Sequence, residues 1–174
     1  MPVERPGAVK MRGNPVTLIG PEVRVGQKAP DFVALGQGLK PISLQDFRGK
    51  VKVLLSVPSL DTQVCSTETK KFNEMAAAFP SNVQVAVISM DLPFAQARWC
   101  GANGVERVLC ASDFRDRQFG EAYGVRIKEL GLLARAVFVV DRDDVVRYVE
   151  YVPEITQEPN YEAVKQAVLQ IAGP

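Results

Sequence analysis

The segment VKVLLSVP, residues 51–58, constrains the fold more than any other part of the sequence. Its almost uninterrupted apolar character is typical of a strand that is buried on both faces of a sheet. Over residues 62–79 the pattern becomes helical, because Cys65, Phe72 and Met75 lie on one apolar stripe with helical spacing. A buried strand followed directly by a helix predicts a unit of a parallel α/β sheet.

The alternation of strand and helix patterns continues along the chain. Two short strands around Gly20-Pro21 predict an N-terminal hairpin, which we place within about residues 13–26. The order predicts an α/β fold with a thioredoxin-like mixed sheet flanked by helices and this additional N-terminal β-hairpin. After the hairpin, the pattern predicts a short extended segment at 28–36 and a brief strand and turn within 42–50. The further predicted strands cover residues 51–58, 83–91, 107–113, 134–141 and 145–152, and the predicted helices cover 62–79, 93–104, 114–124 and 160–173.

Length and composition predict one domain that includes residues 1–174. The chain is 47% hydrophobic and 24% charged, which is enough to build a core without disulfides. A net charge of +1 gives no electrostatic reason to expect nucleic acid or a membrane surface as a partner. No apolar run approaches the ~20 residues of a membrane span. The N-terminal segment lacks the apolar stretch of a secretory signal, so we expect a cytoplasmic protein.

The residue types that are missing narrow the possible chemistry. The sequence contains no histidine, which excludes Ser-His-Asp and Cys-His hydrolases and nearly every catalytic zinc site. It contains three cysteines, Cys65, Cys100 and Cys110, whose odd number and irregular spacing do not indicate a secreted disulfide framework. No CxxC pair is present, so a thioredoxin-type dithiol is also excluded.

Cys65 stands where the central strand gives way to the first long helix. If Thr62 is the N-cap, Cys65 lies in the first helical turn, where unpaired N–H groups and the helix dipole favour a thiolate. Ionisation alone improves a thiol only a few-fold as a nucleophile, because nucleophilicity falls with the pKa. A fast enzyme therefore also needs donors aimed at the leaving oxygen, which Thr62 and an arginine could supply. The alternative is a buried structural cysteine.

Three motifs resemble one known family. PSLDTQVC, residues 58–65, resembles the PxxxTxxC motif of peroxiredoxins, and with the following serine it is similar to the bacterial thiol peroxidases, which are atypical two-cysteine peroxiredoxins. DLPFAQARWC, residues 91–100, is similar to the segment of that family that carries the resolving cysteine. GLLARA, residues 131–136, resembles the segment with the active-site arginine, and GNPVTLIG, residues 13–20, resembles the family's extra hairpin.

The resemblance implies a role for each matching residue. Cys65 is the peroxidatic cysteine, whose thiolate attacks a hydroperoxide and becomes a sulfenic acid. Thr62 hydrogen-bonds the thiolate and the peroxide, Arg135 stabilises the thiolate and the departing oxygen, and Pro58 shields the site. Cys100 then attacks the sulfenic acid and forms an intramolecular disulfide with Cys65.

The resemblance also implies partners and a substrate class. Thioredoxin reduces the disulfide, family members are usually homodimers, and no metal or organic cofactor is needed. The family favours organic hydroperoxides over hydrogen peroxide. The aromatic residues Phe94 and Trp99 agree with an apolar approach to the site.

The predicted positions of the two cysteines require local motion. A disulfide needs Cα atoms within about 7 Å of each other. Cys65 lies early in one predicted helix and Cys100 late in the next, so we expect the first turn of one helix and the last turn of the other to unwind partly. Gly101 and Gly104 would ease that opening.

Several alternatives stay open on the sequence alone. Cys110 lies on a predicted strand, where it is either buried and inert or a second resolving partner for Cys65. The same residues would serve a peroxide-sensing relay whose oxidation is read by another protein. A non-catalytic binding module would instead have an unreactive Cys65. A three-cysteine metal site has least support, because no two cysteines have ligand spacing.

Overall fold

The computed structural model describes residues 2–173, which contain ten strands and four α-helices. The strands are β1 (Glu4–Met11), β2 (Asn14–Ile19), β3 (Val33–Leu35), β4 (Pro41–Ser43), β5 (Val51–Ser56), β6 (Val83–Ser89), β7 (Val108–Ser112), β8 (Arg126–Ile127), β9 (Ala136–Val140) and β10 (Val146–Tyr151). The helices are α1 (Gln63–Ala78), α2 (Pro93–Asn103), α3 (Gln118–Ala122) and α4 (Tyr161–Ala172).

A seven-stranded mixed sheet forms the centre of the molecule, with the order β10-β9-β5-β6-β7-β3-β4. Strands β5, β6 and β7 run parallel, and β9 pairs antiparallel with β5. Every residue of β5 is buried, as its apolar run predicts for a central strand. The predicted α/β fold with a mixed sheet is therefore confirmed.

Two hydrophobic clusters cover the two faces of this sheet. One contains Phe72 of α1, Val164 of α4 and alternate residues of the central strands, and Trp99 of α2 packs against it. The other contains Phe119 of α3 and Leu18 of β2. Helices α1, α2 and α4 therefore lie on one face, and α3 and the N-terminal strands lie on the other.

The N-terminal hairpin exists, but its predicted boundaries are wrong. Strands β1 and β2 pair antiparallel and turn at Arg12-Gly13, not at Gly20-Pro21. Both turn residues have positive φ, 51° and 80°, which is what a two-residue hairpin turn of the favoured twist requires. Pro6-Gly7 and an irregular register within β1 obscured the strand pattern in the sequence.

Two further details differ from the sequence prediction. Helix α3 has five residues instead of eleven, because the Asp113 carboxylate accepts hydrogen bonds from the Phe119 and Gly120 N–H groups and places the helix start there. Strand β8 was not predicted. It pairs with β2 and completes a three-stranded sheet with the hairpin.

Within residues 2–173, none of the helices combines the length and apolar character that crossing a lipid bilayer would require.

Candidate active site

The pairing of β5 with β9 brings the predicted site residues together. These strands are antiparallel, and Ser56 at the end of β5 lies opposite Ala136 at the start of β9. The chain leaves β5 towards Cys65 and enters β9 directly after Arg135, so both residues lie at the same edge of the sheet. A hydrogen bond of 2.7 Å from Ser56 Oγ to the Ala134 carbonyl oxygen joins the end of β5 to the segment before β9.

Cys65 is the third residue of α1 and is fully buried. The predicted N-cap position of Thr62 is confirmed, because its backbone is extended and the helix begins at Gln63. Its hydroxyl does not cap the helix, however, and instead donates to the Ser59 carbonyl oxygen at 2.8 Å. The Thr62 hydroxyl therefore stabilises the turn before the helix, and it would have to leave the Ser59 oxygen to donate a hydrogen bond to a thiolate or a peroxide.

Arg135 connects three parts of the site. Its Nη2 atom lies 3.3 Å from Cys65 Sγ, and its Nη1 atom lies 3.3 Å from Glu68 Oε2. Its Nε atom donates to the Ile155 carbonyl oxygen at 2.8 Å. The arginine side chain is 2% exposed, so its position is set by these partners rather than by solvent. A buried guanidinium aimed at a thiol in this way can stabilise a thiolate.

Glu68 is the residue of this site that sequence reasoning missed. It lies one helical turn after Cys65 and is fully buried, and its Oε1 atom has no hydrogen-bond partner. Burial raises the pKa of Glu68 to about 8, although the nearby Arg135 opposes this shift. A carboxyl group with that pKa is mostly protonated at neutral pH. The charge of Arg135 is then directed towards Cys65 instead of being neutralised by Glu68.

The spacing of Glu68 from Cys65 contained a usable signal. Residues three apart on a helix lie on the same face. The apolar stripe of this helix that contains Cys65 therefore extends to Glu68. An ionisable residue on a buried stripe requires a polar partner, which here is Arg135.

Asp91 holds the turn that contains Pro58. Its carboxylate accepts hydrogen bonds from Ser59 Oγ at 2.7 Å, the Leu60 N–H at 2.8 Å and Ser89 Oγ at 2.7 Å. Pro58 itself is buried. Asp91 follows β6 and precedes α2, so this network joins the turn before Cys65 to the segment that leads to Cys100.

Cys100 lies late in α2, as predicted, but its sulfur contacts Cys110 rather than Cys65. The Cys100 and Cys110 Sγ atoms are 2.7 Å apart, and both residues are half-buried. All three cysteines are free thiols. They share one face of the sheet, since Cys65 belongs to the cluster against which the other two pack. Cys110 lies on a strand, β7, as predicted, but it is half-buried and contacts another thiol.

The site contains the groups for thiol chemistry. Among residues 2–173, no group of three or more His, Cys, Asp or Glu side chains is arranged to hold a metal ion. The available groups are a buried thiol beside a guanidinium and a pair of adjacent thiols elsewhere on the same face. This arrangement can support nucleophilic attack by sulfur and disulfide formation.

Comparison with known proteins agrees with this chemistry. The family model described as Redoxin matches residues 24–165. The thiol peroxidase of Bacillus subtilis is 56% identical over 88% of this chain and 92% of its own length. The thiol peroxidase of Oceanobacillus iheyensis is 54% identical over 90% of this chain and 94% of its own length.

A solved structure extends the agreement to the fold. The crystal structure of a peroxiredoxin-like protein from Aquifex aeolicus superposes with a TM-score of 0.89 at 49% identity, covering 95% of this chain and 97% of that chain. The chain therefore belongs to the bacterial thiol peroxidases, enzymes of the redoxin family that reduce peroxides with a thiol.

Proposed function

We propose that this enzyme reduces hydroperoxides through a Cys65 sulfenic acid. The observation that carries the proposal is the 3.3 Å contact between Arg135 Nη2 and Cys65 Sγ, both of them buried. The Cys65 thiolate attacks one oxygen of the peroxide, the O–O bond breaks, and the departing oxygen takes a proton and leaves as alcohol or water. Arg135 stabilises the charge on the sulfur and then on the departing oxygen, and Pro58 and Thr62 border the site.

We propose Cys100 as the residue that resolves the sulfenic acid. Its thiol attacks Cys65 Sγ, water leaves, and an intramolecular disulfide forms. Both sulfurs belong to the same face of the sheet, which supports this pairing. Cys65 lies in the first turn of α1 and Cys100 near the end of α2, so the step requires both turns to unwind partly.

The finer assignments rest on the family resemblance and on surface character. Leu92 and Phe94 at the start of α2 are 48% and 64% exposed, which supports an organic hydroperoxide as the preferred substrate. Thioredoxin is the proposed reductant, and a homodimer is the proposed assembly. The cytoplasm, where thiols are kept reduced, is the proposed compartment.

The first experiment mixes fully reduced protein with one equivalent of cumene hydroperoxide. Acid-quenched samples are mapped by mass spectrometry without reduction, and Cys65→Ser and Cys100→Ser are compared with the wild type. We expect rapid peroxide loss and an early Cys65–Cys100 link in the wild type. Cys65→Ser should consume no peroxide, whereas Cys100→Ser should stop at a Cys65 sulfenic acid that dimedone traps.

Turnover separates an enzyme from a peroxide-sensing relay. With thioredoxin, its reductase and NADPH, we expect many equivalents of peroxide to be consumed per chain. Peroxide consumption by Cys65→Ser at the wild-type rate would reject Cys65 as the reactive thiol. Consumption that stops once the protein's own thiols are oxidised, without thioredoxin-driven turnover, would favour the peroxide-sensing role.

A further inference from the structure

Two thiols in this structure are already placed for disulfide formation, and they are not Cys65 and Cys100. Cys100 on α2 and Cys110 on β7 have their sulfurs 2.7 Å apart. A disulfide bond is about 2.05 Å long, so the two sulfurs need to approach by less than about 1 Å. Both elements keep their secondary structure at this distance.

The contact between the two thiols affects their pKa values in opposite directions. Either sulfur can donate the hydrogen bond, and a bond donated by Cys110 lowers the pKa of Cys100. The same contact is the main reason that the pKa of Cys110 is raised, and burial adds to it. Once Cys100 has bonded to Cys65, Cys110 loses the contact that raised its pKa most.

The two possible disulfides of Cys100 differ in what they require of the fold. A bond to Cys65 needs the first turn of α1 and the last turn of α2 to open. It also converts the Cys65 thiol, which Arg135 contacts, into part of a disulfide. A bond to Cys110 needs neither change. Transfer of the disulfide from Cys65 to Cys110 would therefore let both helices reform while the protein remains oxidised.

The Cys100–Cys110 pair is also the part of the thiol system that faces a cavity. A surface cavity of about 950 Å³ is lined by Cys100 and Cys110, together with Ala76, Pro80 and Arg107 from the surrounding elements. Cys65 is fully buried and does not line it. A disulfide at the cavity is accessible to an external thiol without opening the Cys65 site.

We propose that Cys110 is a third redox cysteine, which accepts the disulfide from Cys65 and presents it as a Cys100–Cys110 bond at this cavity. The proposal rests on the peroxidase cycle proposed above. The Cys110 thiol loses its proton to solvent and attacks Cys100 Sγ. The new S–S bond forms as the Cys65–Cys100 bond breaks, and Cys65 departs as a thiolate beside Arg135. No further oxidant is consumed, because one disulfide replaces another.

Stoichiometry without any reductant tests the proposal. Transfer of the disulfide to Cys110 frees Cys65 to react again, so reduced wild type should consume two equivalents of cumene hydroperoxide per chain. It should end with a Cys100–Cys110 link and a Cys65 sulfenic acid that dimedone labels. Cys110→Ser should consume one equivalent and stop at a Cys65–Cys100 link.

Two controls keep the outcomes separate. Cys65→Ser should form no Cys100–Cys110 link on the same timescale, since the disulfide must be delivered from Cys65. Formation of that link in Cys65→Ser at the wild-type rate would overturn the proposed transfer of the disulfide from Cys65 to Cys110. If wild type and Cys110→Ser both stop at one equivalent with a Cys65–Cys100 link, the proposed transfer to Cys110 is wrong and the peroxidase cycle stands. If neither consumes peroxide, the proposed cycle itself fails.

Discussion

The surroundings of Cys65 and of the Cys100–Cys110 pair differ in almost every physical respect. Cys65 is fully buried and lies beside a buried arginine that is itself held by a carboxyl group and a backbone carbonyl. Cys100 and Cys110 are half-buried, contact each other, and border a cavity. The Cys65 thiol lies beside a guanidinium that is held in place, whereas the Cys100 and Cys110 thiols have each other as their closest polar partner.

This difference separates two demands of peroxide chemistry. Breaking an O–O bond needs a preorganised charge at the departing oxygen, and a buried guanidinium supplies it without reorganisation. Forming and exchanging disulfides needs sulfurs that can approach one another and a reductant. We therefore expect a fixed charge beside Cys65 while the peroxide reacts, and local opening of the first turn of α1 and the end of α2 when the disulfide forms. The following predictions test each expectation.

The largest expected effect is at the Cys65 site. Arg135→Ala removes the donor that lies 3.3 Å from Cys65 Sγ. Loss of a preorganised donor of this kind slows the chemical step by about 10²–10³-fold. The measurement is the stopped-flow rate of peroxide loss with reduced protein. Arg126→Ala is the matched control, because Arg126 pairs with Glu121 away from Cys65 and should keep the wild-type rate. Equal rates for both variants would contradict a role for Arg135.

The second prediction concerns the pH dependence of stability at the same site. Glu68 has a pKa of about 8 in the folded protein, raised mainly by burial from its ordinary value of 4.5. The folded state therefore binds a proton more tightly than the unfolded state. Its stabilising contribution is complete below pH 4.5 and is lost as the pH rises towards 8, with a slope of up to about 1.4 kcal/mol per pH unit.

Urea unfolding of reduced wild type and Glu68→Gln between pH 4.5 and 8.5 measures this slope. Glutamine cannot titrate, so the difference in unfolding free energy between the two proteins isolates Glu68. We expect wild type to lose stability relative to Glu68→Gln as the pH rises. A difference that stays constant, or that changes in favour of wild type, would show that Glu68 is ionised throughout and that Arg135 neutralises it.

The smallest expected effects lie at the end of α2, where two glycines offer changes of opposite sign. Gly104 caps the helix with φ of 64°, and alanine there costs about 1–2 kcal/mol. Gly101 lies inside the helix with open space around it, and alanine there stabilises the helix by about 0.5–1 kcal/mol. If this turn unwinds before Cys100 reacts, Gly104→Ala should speed the resolving step several-fold and Gly101→Ala should slow it.

The reporter for this step is built into the chain. Trp99 is the single tryptophan and precedes Cys100, so its fluorescence after peroxide addition follows the movement of Cys100. The earlier peroxide-consuming step, measured separately, should be the same in both glycine variants. A resolving rate that is unchanged in both variants would mean that α2 does not open in this step.

Much of the fold was predictable because the central elements have unambiguous local patterns. The fully apolar run of β5 and the stripe of α1 that contains Phe72 predicted a buried strand and an amphipathic helix, and both are present. The N-terminal hairpin was misplaced because proline and glycine interrupt β1. Strand β8 has only two residues, which is too short for any periodic pattern.

The candidate site was predictable only as separate motifs. Cys65, Thr62 and Pro58 are neighbours in the chain, so local reasoning placed Cys65 in the first turn of a helix after a strand. The Thr62 hydroxyl then bonded to a carbonyl group rather than to the helix or the thiol, because the turn brings the Ser59 oxygen within 2.8 Å. Competition between nearby acceptors is decided by backbone geometry that composition does not encode.

The sequence by itself determined the chemical class of this protein: a chain without histidine, with a cysteine at a strand-to-helix junction inside a recognisable motif. The tertiary structure alone decided which groups that chemistry uses. It brought Arg135 to Cys65 across 70 positions of chain, buried Glu68 beside them, and placed Cys110 against Cys100. The physical reason is that local periodicity records which face of an element is apolar. Strand pairing and helix packing decide which buried polar groups meet there.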